Sequence, residues 1–334
     1  MTDTRHPVEA SYWHAAPEGR VACELCPQRC VIAEGKRGLC HLRENRGGVL
    51  YAAAYGEIAS FAVDPIEKKP LYHYHPGDDI LSVGPNGCNL RCRGCQNYQI
   101  SQDKVPTQYV AAEELVGLAQ GRDSPGIAYT YTEPLVWLEY VRDACRAAAE
   151  KGLYNVAVTN GFLQEAPARE IAPLLGAANV DVKSLSEEFY RDYCGGELGP
   201  VLRTCEIFKR DLHLEVTNLL VTGLNDTEEA VTEFVHWVAE HLGRDTPVHF
   251  SRYFPYYEMD APPTPPHHLL RAKEIADRDL FYVYLGNVAG VGGTDTSCPR
   301  CGNLLVERSG YRGVVVGLED GKCSNCGRPS EIVI

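Results

Sequence analysis

Eleven of the fourteen cysteines in this 334-residue chain stand in three groups with metal-ligand spacing. Each group obliges its stretch of backbone to close around a centre that side-chain packing alone does not supply. The groups are Cys23, Cys26, Cys30 and Cys40 near the start, Cys88, Cys92 and Cys95 further on, and Cys298, Cys301, Cys323 and Cys326 at the end. Thiols so arranged belong to a reducing compartment, because an oxidising one would join them as disulfides. The expected location is cytoplasmic, and the expected protein is oxygen-sensitive. Residues 1–20 carry no apolar run like that of a signal peptide, and no stretch reaches the roughly 20 apolar residues of a membrane helix, so no membrane association is expected. A net charge of −13, with only short basic clusters such as Lys68-Lys69, repels a phosphate backbone and argues against nucleic acid as a partner.

From residue 79 to about 290, short β-rich runs alternate with longer amphipathic stretches, the pattern of βα units and a parallel sheet. Strands are expected at 80–85, 126–131, 154–160, 179–183, 213–221 and 247–253, with 281–285 adding another. Leu135, Leu138, Val141, Cys145 and Ala148 recur at helical spacing, and Glu113-Glu114 and residues 226–229 supply acidic first turns. About six units are too few for a closed eight-stranded barrel. The expected fold class is therefore α/β, a partial (β/α)6 barrel over residues 79–290 with its site at the carboxyl ends of the strands. Residues 1–78 read as an N-terminal Cys-rich β segment with strands at 49–54 and 57–63, and residues 295–334 as a C-terminal zinc-ribbon-like unit. The proline-rich stretch 261–266 reads as a rigid loop.

The middle cysteines stand in Cys88-Asn-Leu-Arg-Cys92-Arg-Gly-Cys95-Gln-Asn97, which offers three close thiolates and no nearby fourth. A structural zinc normally takes four ligands. A [4Fe-4S] cubane has four irons, so three thiolates leave one open, and an open iron serves more than electron storage. The chemistry that uses such a site is reductive cleavage of S-adenosylmethionine, with its amino and carboxylate groups chelating the open iron, to give a 5′-deoxyadenosyl radical. It needs an electron donor such as flavodoxin or ferredoxin.

Polar residues close the expected strands and so meet at one mouth. Glu133, before Pro134 at a helix start, is placed to accept from the cofactor's ammonium, although a helix start favours an acid in any case. Thr159 and Asn160 end the third strand. Asp181 and Lys183 end the fourth, the lysine suited to a carboxylate and the aspartate to a ribose hydroxyl or to holding a neighbouring group. Arg252 suits either a substrate anion or a structural ion pair, and His249 reads as a satisfied polar group near the core. Cys145 reads as buried packing, Cys194 as a loop thiol able to give up a hydrogen atom or as a plain loop residue, and Cys205 carries no signal. The N-terminal set can close a site with zinc or with a second iron–sulfur cluster, since thiolates suit both. At the end of the chain, two Cys-x-x-Cys turns each followed by glycine, Gly302 and Gly327, point to zinc.

Together these blocks, with 65–71, Pro76-Gly77 and Tyr129-Thr-Tyr-Thr-Glu133-Pro134, resemble the radical S-adenosylmethionine (radical SAM) enzymes of the AmmeMemoRadiSam system, relatives of the pyruvate formate-lyase activating enzymes. The resemblance runs over nearly the whole chain. It implies a cluster on Cys88, Cys92 and Cys95, with Glu133, Asp181 and Lys183 near S-adenosylmethionine, and association with Memo-like and AMMECR-like proteins. Two positions depart from the activating enzymes. Gly94 replaces an aromatic residue that packs by adenine, which leaves Tyr98 or another ring to substitute, and Val158 replaces an acid that binds a monovalent cation. The expected activity is hydrogen abstraction from a small molecule, peptide or protein. The alternatives are activation of a glycyl radical enzyme and, in another class, a non-catalytic metal-binding or electron-transfer protein.

Overall fold

The computed structural model describes residues 7–288, 290 and 292–334. Its centre is one eight-stranded sheet built of β1 (Ser60–Pro65), β2 (Asp79–Gly84), β3 (Gly126–Tyr129), β4 (Tyr154–Thr159), β5 (Ala177–Asp181), β6 (His213–Leu220), β7 (Val248–Arg252) and β8 (Val283–Gly286). The spatial order is β8-β7-β6-β5-β4-β3-β2-β1, so each strand neighbours the next in sequence. Strands β2 to β8 run parallel, and β1 is antiparallel to β2. The crossovers hold α1 (Ala112–Gln120), α2 (Leu138–Ala149), α3 (Glu165–Ile171), α4 (Leu198–Asp211), α5 (Glu228–Trp237) and α6 (Pro266–Ala276). Six βα units and a closing parallel strand thus wind in one direction, as the sequence pattern requires, and the segment expected at 281–285 is that closing strand.

The parallel strands are buried along nearly their whole length, which explains their continuous apolar runs. Local signals set the helix starts. Thr227 caps α5, its hydroxyl accepting from Ala230 N at 3.2 Å, and Glu228 and Glu229 fill the first turn. Cys145 lies on the buried face of α2, and Cys205 on that of α4.

The stretch expected as one strand at 57–63 is two. Glu57–Ile58 pairs with Gln108–Tyr109, and the chain then enters the central sheet as β1. Residues 66–75 pass beneath the sheet, against polar side chains of the strand starts. Asn179 Nδ2 donates to Pro70 O (2.7 Å), and His73 N donates to Glu215 Oε1 (2.7 Å). Glu215, buried from solvent, pairs with His249 at 2.6 Å and His213 at 3.1 Å; these bonds outweigh its burial and hold its carboxyl well below the usual range. His249 is thus the satisfied core residue that its position suggested.

The C-terminal unit, with β9 (Leu304–Ser309) and β10 (Arg312–Val315) paired antiparallel, docks on the same underside. Arg308, on β9, lies over the Tyr72 ring at 4.3 Å and donates to Tyr72 O and to Thr296 Oγ1 (2.7 Å). His75 N donates to Val333 O, and Val333 N to His73 O, both at 2.8 Å. The 65–77 motif therefore clamps the C-terminal unit to the barrel at the end opposite the cysteine loop.

Candidate active site and metal centres

The loop after β2 carries Cys88, Cys92 and Cys95, and neighbouring strand ends reach over it. Asn160, just beyond β4, donates through Nδ2 to Cys88 Sγ (3.6 Å) and to Asn89 Oδ1 (2.9 Å). Leu90 N faces Cys88 Sγ at 3.4 Å, and Ser101 Oγ lies 3.3 Å from Cys95 Sγ. Each of these two thiols has its own hydrogen-bond partners. The left-handed Gly161 (φ 67°) lets the chain turn after Asn160, where a Cβ would stand 2.9 Å from Val180.

Glu133 is fully buried at the N-cap before Pro134. Its Oε1 accepts from Leu135 N (2.9 Å) and Thr159 Oγ1 (2.7 Å), and its Oε2 accepts from Asn160 N (2.7 Å). Burial pushes the carboxyl up to about 7 against the pull of these donors. Glu133 thereby fixes the ends of β3 and β4 relative to each other. Lys183 Nζ pairs with Asp181 Oδ2 at 3.0 Å, and although burial opposes its charge, Asp181 and the thiols of Cys92 and Cys194 raise the ammonium well above its ordinary value.

Cys194, read from sequence as a loop residue, ends a wide π-type helical turn, Tyr190–Cys194, and is buried. A hydrogen bond from its thiol, aided by Lys183, brings the Cys92 thiol down to about 7 against the cost of burial. The same turn grips the cysteine loop through its backbone: Arg91 N donates to Cys194 O (2.7 Å) and Arg93 N to Tyr193 O (3.0 Å). Sequence reasoning missed this turn, and only the pair Gly195-Gly196 after it hinted at close approach.

Gly94 has a steric reason. A Cβ there would stand 2.3 Å from Tyr193 Oη and 3.3 Å from Tyr253 Cε2, so two rings already fill the space beside Cys95. Tyr98 instead stacks on Tyr257, with ring centroids 4.9 Å apart. Arg252 donates to Thr264 O (2.7 Å) and lies over Phe254, and so braces the proline-rich segment. Asn218 donates to Val182 O (2.8 Å) and supports the β5 end.

The two four-cysteine sets differ. Cys298, Cys301, Cys323 and Cys326 bring all their sulfurs within 4.8 Å of one another, with 3.7 Å between Cys298 and Cys326 and between Cys301 and Cys323. The positive φ of Gly302 (73°) and Gly327 (68°) turns the chain behind each pair. This set can hold one metal ion. Cys23, Cys26, Cys30 and Cys40 instead line a common cleft, together with Arg43 and Asn89. Among the described residues, no helix is long and apolar enough to cross a membrane.

The sequence model described as the radical SAM superfamily matches residues 83–238, from the end of β2 past α5. The chain is 42% identical over 334 residues to the uncharacterized protein MJ0808 of Methanocaldococcus jannaschii, covering 98% of this chain and 99% of that protein. Among solved structures it is similar to Streptococcus suis SuiB bound to S-adenosylmethionine, at TM-score 0.51 and 13% identity, over 63% of this chain and 52% of that one. The chain thus spans about half the length of SuiB. A domain of the pyruvate-formate lyase-activating enzyme from Bacteroides vulgatus ATCC 8482 aligns over 48% of this chain and 99% of its own, at TM-score 0.43 and 15% identity. At that identity the likeness to SuiB speaks for the fold alone. With a parallel partial barrel, three cysteines on the loop after its first parallel strand and a superfamily match across that region, residues 83–238 form a radical SAM domain and the chain is a radical SAM enzyme.

Proposed function

We propose that Cys88, Cys92 and Cys95 hold the [4Fe-4S] cluster of the superfamily and leave one iron for S-adenosylmethionine, and that the enzyme abstracts hydrogen from a small molecule, peptide or protein. The observation that carries this reading is the spread of the three thiols. Among the described residues, only the C-terminal cysteines gather three or more ligand atoms within 4.8 Å of one another, whereas a single zinc on Cys88, Cys92 and Cys95 would need them that close. A cubane gives each thiolate its own iron and so needs them apart. When bound, the cluster supplies an electron, and S-adenosylmethionine the carbon radical.

The chain's own residues hold and shape that site. Asn160 steadies Cys88 and is itself steadied by Glu133, which acts through Thr159 and Asn160 as a positioning residue. Lys183, kept charged by Asp181, offers a cation to the methionine carboxylate, and the rings of Tyr193 and Tyr253 offer the apolar wall beside Cys95 that an adenine requires. The C-terminal cysteines suit a structural zinc: 2.3 Å Zn–S bonds in a tetrahedron put sulfurs about 3.8 Å apart, and two pairs here stand at 3.7 Å. Direct modification of a substrate is favoured over activation of a glycyl radical enzyme, because activation requires neither of the two additional cysteine centres.

The test is 5′-deoxyadenosine formation by anaerobically reconstituted protein with S-adenosylmethionine and a strong reductant, beside the Cys88→Ala/Cys92→Ala/Cys95→Ala variant. Product from the wild type alone is expected. Equal product from both would overturn the assignment.

A further inference from the structure

We infer that Cys23, Cys26, Cys30 and Cys40 hold a second [4Fe-4S] cluster that passes electrons to the cluster on Cys88, Cys92 and Cys95 across the side chain of Asn89. The inference deepens the proposed function and rests on it for the identity of the electron acceptor.

The chain carries its own standard for a mononuclear site. Its C-terminal sulfurs close to 3.7 Å in two pairs and to within 4.8 Å as a set. Among the described residues, no three of the N-terminal sulfurs do so. A tetrahedral zinc needs all four close, because one ion then holds every thiolate. A cubane gives every thiolate a separate iron and spreads the four around a shared space, as these four surround their cleft.

The walls of the cleft suit an anionic sulfur-rich group. Backbone N–H groups of Leu25, Gln28, Leu39 and Leu42 each face one of the four sulfurs. Arg43 also lines the cleft and is only 1% exposed. Its Nη1 donates to Ser11 O (2.6 Å) and its Nη2 to Glu139 Oε1 (2.7 Å), while its buried Nε has no partner. A buried guanidinium that already reaches the Cys23 thiol and keeps its Nε–H without a partner is a donor placed beside a sulfur-rich group.

Placement supplies the role. Asn89 lines the cleft, its side chain is in reach of the Cys26 thiol, and its Oδ1 lies 4.0 Å from Cys88 Sγ. One side chain therefore touches a ligand of each centre. Gln28 ties the same junction, its Nε2 donating to Asn89 O (2.9 Å) and Gly195 O (2.8 Å). A low-potential one-electron donor of the flavodoxin or ferredoxin type reduces the N-terminal cluster from 2+ to 1+. The electron then moves to the other cluster, which goes from 2+ to 1+ as the first returns to 2+, and no atom is transferred.

The test uses the full chain and its Cys88→Ala/Cys92→Ala/Cys95→Ala variant, both reconstituted anaerobically with iron and sulfide, and reads metal content and electron paramagnetic resonance. The variant is expected to keep about four irons and four sulfides, half the wild-type content, because each cubane holds four of each. A variant with no iron and a second zinc overturns the inference while leaving the proposed function intact. A variant with as much iron as wild type overturns the proposed function instead. In dithionite-reduced wild type, the N-terminal signal is expected to be broadened by its neighbour; a signal identical to the variant's overturns the relay. Cys26→Ala/Cys30→Ala, if it folds, should lose the complementary half of the iron.

Discussion

Replacing Gly94 with alanine places a Cβ 2.3 Å from Tyr193 Oη and 3.3 Å from both Tyr193 Cζ and Tyr253 Cε2. A carbon and an oxygen not bonded to each other do not approach so closely, so the Tyr193 ring or the cysteine loop must shift by most of an ångström. The ring is held in a buried turn and stacks near Phe189 at 4.7 Å, so the shift falls partly on the loop. Overpacking of this kind costs about 1–3 kcal/mol. Tyr193→Phe removes the atom that clashes and leaves only contacts of 3.3 Å, which relax within a few tenths of an ångström. In the Tyr193→Phe background the alanine should therefore cost less than about 1 kcal/mol, a coupling of roughly 1–2 kcal/mol between the two sites. The assay is anaerobic thermal unfolding of the four proteins, with bound iron counted per chain. Gly94→Ala should melt several degrees lower and retain less iron, and the double variant should regain most of both. An equal penalty for Gly94→Ala in both backgrounds would refute the claim that Tyr193 excludes a side chain at residue 94.

Glu133 titrates from about 4.5 unfolded to about 7 folded, so the folded chain holds its proton longer; the contribution is most favourable below about pH 4.5 and falls by roughly 3 kcal/mol as pH rises past 7. Urea midpoints between about pH 5 and 8 should show this slope, and Glu133→Gln should lack it; parallel profiles would count against a carboxylate whose burial outweighs its three donors. Arg308→Met removes the donors to Tyr72 O, Thr294 O and Thr296 and leaves buried Glu67 without its cation. A loss of about 3–5 kcal/mol is expected, read as faster proteolysis between the barrel and the C-terminal unit; unchanged cleavage would show that the clamp lies elsewhere. Asn160→Ala removes an N–H donor from Cys88, which should lower the potential of the nearby cluster, and a redox titration that finds it unmoved would remove Asn160 from the cluster's surroundings.

The elements of this fold are legible in the chain because their signals are local. Continuous apolar runs place seven parallel strands within a few residues of their observed bounds, and cysteine spacing marks three candidate centres before any contact is known. The strand-end residues Glu133, Asn160 and Lys183 follow from the same logic, since a parallel barrel gathers its strand ends at one mouth. What the chain does not spell out are relations between distant segments. Nothing local tells that β1 leaves the Cys-rich region to join the main sheet, or that the turn Tyr190–Cys194 grips the cysteine loop and fills the space beside Gly94. Nor does ligand type separate two four-cysteine sets. Zinc and iron–sulfur clusters accept the same thiolates, and they differ in how far apart the sulfurs must stand. That distance depends on how whole segments pack: two facing turns draw the C-terminal sulfurs together, whereas segments spread around a cleft beside Arg43 and Asn89 keep the N-terminal ones apart.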